Sequence, residues 1–258
     1  MSASDHLDRV RRQFTRQADA YADLPQTKGE AGLDALVGLA GANPGDDVLD
    51  VACGPGWLTL AFARHGARAV GIDATPAFVE RARGEAARRA LAPVAFGVGD
   101  VQALPVRDAS FDVVACRAAF HHFPQPGRVL REMRRVARPQ GRLLVADMLG
   151  SEDSTKAAYH DRIERLCDPT HVRAVPASEF ARLFAGAGLA IVAQKTGSVS
   201  YDVEEWMAHG GPSPEAAREI VALFEHSLDT DRSGLAVRRD DGRLRFMHTV
   251  ATYVMTGA

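Results

Sequence analysis

The amino-acid sequence predicts an α/β fold built on a doubly wound, mainly parallel β-sheet. Short apolar runs that fit buried strands alternate with longer runs in which apolar residues recur at helical spacing. Continuously apolar strands are typical of parallel sheets covered by helices on both faces. Right-handed crossovers between such strands then produce the doubly wound arrangement.

Each element is predicted from such a pattern, in chain order. The first 40 residues carry two helical patterns, and a turn over residues 43–46 ends them. Strands are predicted at 47–51, 69–72, 94–98, 111–116 and 142–148, and helices between them at 57–64, 75–89 and 127–137.

The pattern changes after residue 149. Helical stretches without a strand are predicted at 151–175 and at 204–227, the second one interrupted at 210–212. An amphipathic helix at 179–187 leads into a strand at 189–194. Within 235–254 we expect two strands around a turn at 240–242, and we expect this final pair to close the edge of the sheet.

The composition fits a globular protein and argues against several partners. The chain has 258 residues, of which 46% are hydrophobic and 25% charged, with a net charge of -2. A pI near 6.5 lacks the basic footprint of proteins that bind nucleic acid or anionic membranes. Three scattered cysteines, no signal-like N-terminus and no apolar run of about 18 residues lead us to expect a soluble, cytoplasmic protein.

The first candidate site is the turn Asp50-Val51-Ala52-Cys53-Gly54-Pro55-Gly56, which precedes a predicted helix. Glycines allow close approach of a ligand to the backbone, and a helix start offers free N–H groups. A dinucleotide fingerprint needs a third glycine, but Thr59 stands in its place, and no phosphate-loop Gly-Lys-Ser/Thr follows. Alone, these glycines are weak evidence for a ligand site, and a structural turn is the alternative explanation.

Two further carboxylates follow the next predicted strands. Asp73 lies where a ribose-binding acid is expected, although it would also serve as a helix cap. Asp100, in Gly99-Asp100-Val101-Gln102-Ala103-Leu104-Pro105, could accept a hydrogen bond from an adenine amino group, although alone it is a polar turn residue. Ligands bind at the carboxyl ends of parallel strands. Asp50, Asp73, Asp100 and Arg117 are therefore expected to meet in one crevice.

Taken together, these motifs resemble the class I S-adenosylmethionine-dependent methyltransferases, in particular the small-molecule branch that includes the ubiquinone/menaquinone C-methyltransferases. The likeness covers roughly residues 40 to 150. It is carried by Val48 to Gly56, Gly71-Ile72-Asp73, Gly99 to Pro105, Ser110 to Val114, His121 to Pro124 and Arg138 to Leu143. The resemblance implies a Rossmann-like methyltransferase fold with a seven-stranded, mainly parallel sheet and helical lid insertions.

The resemblance also implies S-adenosyl-L-methionine as the cofactor and assigns residues to its parts. The methionine moiety would lie near Asp50, Ala52, Gly54 and Gly56, and the ribose near Asp73 and Ala74. The adenine would lie near Asp100 and Val101, and the sulfonium near Arg117 and Ala118. Tyr21 would close over the site from the N-terminal helices. The family usually has glycine where Ala52 stands, so the backbone is expected to differ there.

The same likeness divides the chain into parts. We expect an N-terminal helical cap at 1–43 and a cofactor-binding core at 44–150. Helical lid segments are expected at 151–175 and 199–234, and the remaining helix and edge strands of the core at 176–198 and 235–258.

His121, His122 and His171 are the candidate catalytic residues. Histidine suits a general base near neutral pH, which methyl transfer needs only for a hydroxyl, a protonated amine or an acidic carbon. The alternative for the first pair is that one ring packs beneath the cofactor loop and bonds to backbone. Adjacent side chains generally point different ways, so we expect no metal site.

The segment around Asp168-Pro169 is expected to roof the acceptor pocket. His171, Arg173 and Trp206 are the candidate substrate contacts. Their alternatives are an ion pair for Arg173 and a place in the core for Trp206. Cys53 and Cys116 are expected to be packing residues.

The predicted function is in-line methyl transfer to a small-molecule oxygen, nitrogen or carbon acceptor, in quinone or secondary metabolism. The alternative is a protein that binds the cofactor without methyl transfer, such as a sulfonium-assisted cyclase or a partner-binding module. A dehydrogenase is a third hypothesis, which the missing glycine disfavours. The expected partner is a small-molecule substrate, with no nucleic acid or membrane, and the chain is expected to be a monomer or homodimer.

Overall fold

A computed structural model of the protein describes residues 3–23, 28–91 and 93–258. Its helices are α1 (Ala3–Asp23), α2 (Glu30–Ala40), α3 (Trp57–Arg64), α4 (Pro76–Arg88), α5 (Pro126–Val136), α6 (Ser154–Cys167), α7 (Ala177–Gly186), α8 (Val203–Gly210) and α9 (Pro214–Glu225). Its strands are β1 (Asp47–Val51), β2 (Arg68–Asp73), β3 (Val94–Val98), β4 (Phe111–Arg117), β5 (Ala137–Gly150), β6 (Val175–Pro176), β7 (Leu189–Asp202), β8 (Arg238–Asp240) and β9 (Arg243–Gly257).

The strands of the described residues form one sheet in the order β3-β2-β1-β4-β5-β9-β7. The first five strands of this order run parallel, whereas β9 is antiparallel to both β5 and β7. The chain order reverses direction at β1, so the switch point falls between β1 and β4. The predicted doubly wound, seven-stranded, mainly parallel sheet is therefore confirmed.

Two apolar cores cover the faces of this sheet. One contains Leu49, Val145 and Met133, and the other contains Val48 and Phe62, all at most 1% exposed. Val48 and Leu49, consecutive in β1, thus enter opposite cores, so this strand buries apolar side chains on both faces of the sheet. On α5, Val129, Leu130, Met133 and Val136 are buried at helical spacing.

A third apolar core lies under the lid helices. Ile163 of α6, Val203 of α8 and Phe224 of α9 pack with Phe246 of β9. Asp153 and Asp202 cap the helices α6 and α8, because their carboxylates accept hydrogen bonds from free backbone N–H groups of the first turn. The lid is therefore a small packed unit against the second half of β7 and the first half of β9.

The prediction that the last strand pair closes the sheet edge was wrong. The β8–β9 hairpin forms around the predicted turn, with positive φ at Asp241 (50°) and Gly242 (80°). However, β9 lies inside the sheet, where Tyr253 pairs with Val145 of β5 and with Gln194 of β7. The strand at this end of the sheet is β7, which pairs along β9.

The lid boundaries also differ from those predicted. The segment 199–234 begins with four residues of β7, because this strand continues to Asp202. The segment 151–175 contains a helix only over Ser154–Cys167, and Val175 pairs with Leu149 as part of β6. None of the helices among the described residues has the length and apolar character needed to cross a membrane.

Candidate functional site

A cleft opens at the carboxyl ends of β1, β2 and β4, beneath helix α1. It encloses about 960 Å³, part of which is open to solvent. All but one of the predicted cofactor-binding residues line it, namely Tyr21, Asp50, Ala52, Gly54, Asp73, Ala74, Asp100, Val101, Arg117 and Ala118. The sequence therefore located this cleft, because all of these residues except Tyr21 lie at or just after the end of a parallel strand.

Gly56 is the exception, because it does not line the cleft that the described residues form. Its φ is 86°, at the start of α3. A Cβ atom here would lie 2.8 Å from the Cβ of Ala82 and 2.9 Å from the ring of Phe96. The structure thus shows that Gly56 is needed for close packing of the turn against α4 and β3.

The residue that replaces the family's glycine adopts a glycine-like conformation. Ala52 has a φ of 57°, and Ala118, after β4, has a φ of 52°. L-residues rarely occupy this left-handed region. Both strained alanines lie in the lining of the cleft, and backbone strain of this kind concentrates at functional sites.

Asp73 ties the glycine turn to the end of β2. One carboxylate oxygen accepts a hydrogen bond from the N–H of Gly54 and the other from the N–H of Thr75, each at 2.8 Å. Burial nevertheless raises the pKa of Asp73. A carboxylate has about four acceptor positions, so Asp73 can still accept hydrogen bonds from a ligand.

Asp50 is a second buried carboxylate of the cleft, 2% exposed. Burial raises its pKa to about 6, against the opposing effects of Thr59 and Arg117. The hydroxyl of Thr59 donates a hydrogen bond to Asp50 at 2.7 Å. Sequence reasoning used Thr59 only to exclude a dehydrogenase and missed this contact.

Asp147, near the carboxyl end of β5, holds the loop after β4 and was missed from the sequence. Its carboxylate accepts hydrogen bonds from the N–H groups of Ala119 (2.9 Å) and Phe120 (2.7 Å) and from Nδ1 of His121 (2.6 Å). Burial lowers the pKa of His121, but the charge of Asp147 outweighs it, so the pKa is raised overall. The signal was available, because Asp147 lies near the carboxyl end of a buried strand, as Asp50 and Asp73 do.

Of the three candidate catalytic histidines, His122 lines the cleft, together with His6 of α1. Its Nδ1 lies 3.2 Å from the backbone oxygen of Thr170, and its ring meets the edge of Phe14 at 5.2 Å. Burial and the neighbouring His121 lower its pKa to about 3. The ring is therefore neutral at physiological pH and accepts a proton poorly.

The predicted substrate contacts are held elsewhere. His171 stacks on His121 at 5.7 Å and contacts Asp161 through Nε2 at 2.8 Å. Arg173 pairs with Glu179, and Trp206 packs edge-on against Phe246 at 5.3 Å in the lid core. None of the three lines the cleft within the part of the chain that the structure describes.

Aromatic rings of α1 and α4 form a roof that the sequence indicated only through Tyr21. The ring of Tyr21 lies 5.8 Å from Phe14 and 5.6 Å from Phe78, and all three line the cleft. Burial raises the pKa of the Tyr21 hydroxyl. The helical spacing of Phe14 and Tyr21 in α1 was the signal that could have identified this roof.

Comparison with known proteins agrees with this geometry. Residues 49–145 match the model of a methyltransferase domain. The chain is 30% identical over 224 residues to the uncharacterized methyltransferase YcgJ from Bacillus subtilis, covering 87% of this chain and 88% of that protein. The crystal structure of YcgJ superimposes with a TM-score of 0.82 at 27% identity, covering 88% of this chain and 98% of YcgJ.

Two further relatives match over shorter stretches. The 27-O-demethylrifamycin SV methyltransferase from Amycolatopsis mediterranei is 37% identical over 118 residues, covering 45% of this chain and 43% of that protein. The ubiquinone biosynthesis O-methyltransferase from Coxiella burnetii is 31% identical over 99 residues, covering 38% and 42%. With three carboxylates at successive strand ends around one roofed cleft, this chain belongs to the class I methyltransferases and uses S-adenosyl-L-methionine as its cofactor.

Proposed function

We propose that this enzyme is cytoplasmic and transfers a methyl group to a small-molecule acceptor, at an oxygen, nitrogen or carbon atom, in quinone or secondary metabolism. The observation that carries the cofactor half of this proposal is the convergence of Asp50, Asp73 and Asp100 on one cleft. The acceptor half is supported by two relatives whose names specify rifamycin and ubiquinone methylation. A monomer or homodimer is the expected assembly.

The residues of the cleft fit a cationic nucleoside cofactor. Burial raises the pKa of Asp50 and of Asp73, and a positively charged ligand would favour their ionised forms. A Cβ atom built on Gly54 meets no atom within 4 Å, so the glycine turn leaves open space on that side. We assign the methionine moiety to Asp50, Ala52 and Gly54, the ribose to Asp73 with Ala74, and the adenine to Asp100 with Val101.

The remaining lining residues would complete the site. Arg117 and Ala118 would form the floor beneath the sulfonium. Tyr21, Phe14 and Phe78 would exclude water from above, because their rings pack together over the cleft. S-adenosylmethionine supplies an electrophilic methyl group on a positively charged sulfur.

The candidate histidines are poorly suited to remove a proton from the acceptor. His122 lines the cleft, but a ring with a pKa of about 3 is a poor base. His121 accepts a proton more readily, because Asp147 raises its pKa. His171 remains a candidate. We therefore propose that catalysis rests chiefly on holding acceptor and methyl group in line, an effect worth several kcal/mol, roughly 7–11 in the best intramolecular cases.

Equilibrium titration tests the cofactor assignment. We expect micromolar binding of S-adenosylmethionine and S-adenosylhomocysteine and no binding of NADH. In Asp73→Asn the amide nitrogen would face the N–H of Gly54 or of Thr75, so affinity should fall at least tenfold, or about 1.4 kcal/mol. Asp108→Asn is the matched control, because the Asp108 side chain is 75% exposed and pairs with Arg135.

An unchanged affinity in Asp73→Asn would remove the ribose assignment. The acceptor is tested by measuring S-adenosylhomocysteine release with hydroxylated quinols, polyketide phenols and small amines. Tight cofactor binding without product from any acceptor would favour the sulfonium-assisted cyclase or partner-binding alternative over methyl transfer.

A further inference from the structure

Three buried side chains bring metal-binding atoms together under the lid, outside the cofactor cleft. His160 and Glu164 stand one turn apart on the same face of α6, and His248 projects from β9. They are 2%, 6% and 4% exposed. Their ligand atoms all lie within 4.8 Å of one another.

Both histidines direct Nε2 at the same carboxylate oxygen. The Oε1 atom of Glu164 lies 2.8 Å from Nε2 of His248 and 3.4 Å from Nε2 of His160. Two ligands of one tetrahedral ion, at bond lengths of about 2.1 Å, are about 3.4 Å apart. The observed separations are close to this spacing, so small side-chain rotations suffice to admit an ion.

The contacts within the cluster satisfy the two histidines unequally. His248 makes a hydrogen bond to Glu164 at 2.8 Å. Nε2 of His160 is buried and approaches the same oxygen at 3.4 Å without the geometry of a hydrogen bond. A buried polar atom without a well-formed hydrogen bond is costly, and an ion between the three side chains would give this nitrogen a direct ligand bond.

We propose that His160, Glu164 and His248 bind one divalent transition-metal ion of the Zn²⁺ class. Two imidazoles and one carboxylate suit zinc and its first-row neighbours, whereas Mg²⁺ and Ca²⁺ prefer oxygen ligands. Three protein ligands leave a coordination position for water or another oxygen donor. The sequence analysis expected no metal site because it considered only His121 and His122, which lie outside this cluster.

The ion would connect the lid to the sheet. Its ligands come from α6, the first lid helix, and from β9, which lies between β5 and β7. Metal binding to a folded site adds to the stability of that fold. Occupancy would therefore hold α6 on β9 and raise the unfolding temperature. This proposal does not depend on methyl transfer.

The test uses the full chain without an affinity tag, stripped with a chelator and titrated with Zn²⁺. We expect one equivalent to bind tightly by calorimetry and elemental analysis, together with a higher unfolding temperature. Glu164→Gln and His160→Asn should each weaken Zn²⁺ at least about 100-fold, more than the loss of an outer-shell partner. Circular dichroism of the metal-free variants checks their fold.

His65→Asn is the matched control, because His65 and Asp34 form another histidine–carboxylate pair at 3.8 Å, on the surface. Its Zn²⁺ binding should equal that of the unaltered chain. The proposal is overturned if the unaltered chain binds no stoichiometric Zn²⁺, a result that needs no variant. It is equally overturned if folded Glu164→Gln and His160→Asn bind Zn²⁺ as tightly as the control.

Discussion

Replacing Ala118 by glycine should stabilise this protein, although the same change destabilises most alanine positions. Ala118 has a φ of 52°, and its side chain is exposed in the cleft. Its N–H donates to the oxygen of Ala146 at 2.8 Å, and the next two N–H groups donate to Asp147. These contacts hold the backbone in the left-handed region whatever residue stands there.

The size of this stabilisation follows from two opposing contributions to the free energy of unfolding. The left-handed conformation costs an L-residue about 1–2 kcal/mol, and glycine removes that cost. Glycine in turn loses about 0.5–1 kcal/mol more conformational entropy on folding than alanine. No buried methyl group is lost at Ala118. We therefore expect Ala118→Gly to gain about 0.5–1 kcal/mol, or about 1–4 °C in the unfolding midpoint.

Urea and thermal unfolding of the cofactor-free protein at one concentration measure this difference. Ala158→Gly is the matched control, because Ala158 is exposed within the right-handed helix α6, and it should lose about 0.5–1 kcal/mol. Ala52→Gly should fall between the two, since its methyl group packs against the core and contributes up to about 0.8 kcal/mol. If Ala118→Gly proved as destabilised as Ala158→Gly, the strain argument would be refuted.

Two further predictions concern Asp50 and the hydroxyl of Thr59 that donates to it. Burial raises the pKa of Asp50 from 3.8 to about 6, so the folded state binds more protons than the unfolded state between these values. The contribution of Asp50 to stability should therefore fall by about 3 kcal/mol as pH rises from about 4 to 6. Asp50→Asn removes this loss, so its stability relative to the unaltered chain should rise by about that amount across the range, and an unchanged difference in unfolding curves would contradict the burial argument. Thr59→Val should cost about 1–3 kcal/mol at neutral pH, because Asp50 loses a buried donor; Thr59→Ser should restore most of that loss, and equal instability of both variants would count against the hydrogen bond.

The local elements and the position of the cleft could be predicted from the sequence for the same physical reason. The spacing of apolar residues depends on neighbours two to four residues away, so β1 and α5 can be predicted from the sequence alone. Asp50, Asp73 and Asp100 each follow a strand, and the carboxyl ends of parallel strands share one edge. Their convergence therefore needed no knowledge of long-range pairing.

The second half of β7 could not be predicted from its residues. Lys195 to Ser198 are exposed polar residues or glycine and carry no strand pattern. They form a strand because the backbone of β9 pairs with them, Gly197 with Val250 among others. For the same reason, the sequence could not show that β9 lies between β5 and β7.

Contacts between distant segments were decided by the tertiary structure alone. Glu164 and His248 are 84 positions apart, and only the packing of α6 on β9 brings them together. Asp147 likewise reaches His121 across 26 positions. The sequence by itself determined which residues end each parallel strand, and therefore where the cofactor cleft lies. The fold decided which buried polar groups meet, because burial and pairing depend on every segment packed around a residue and not on its neighbours in the chain.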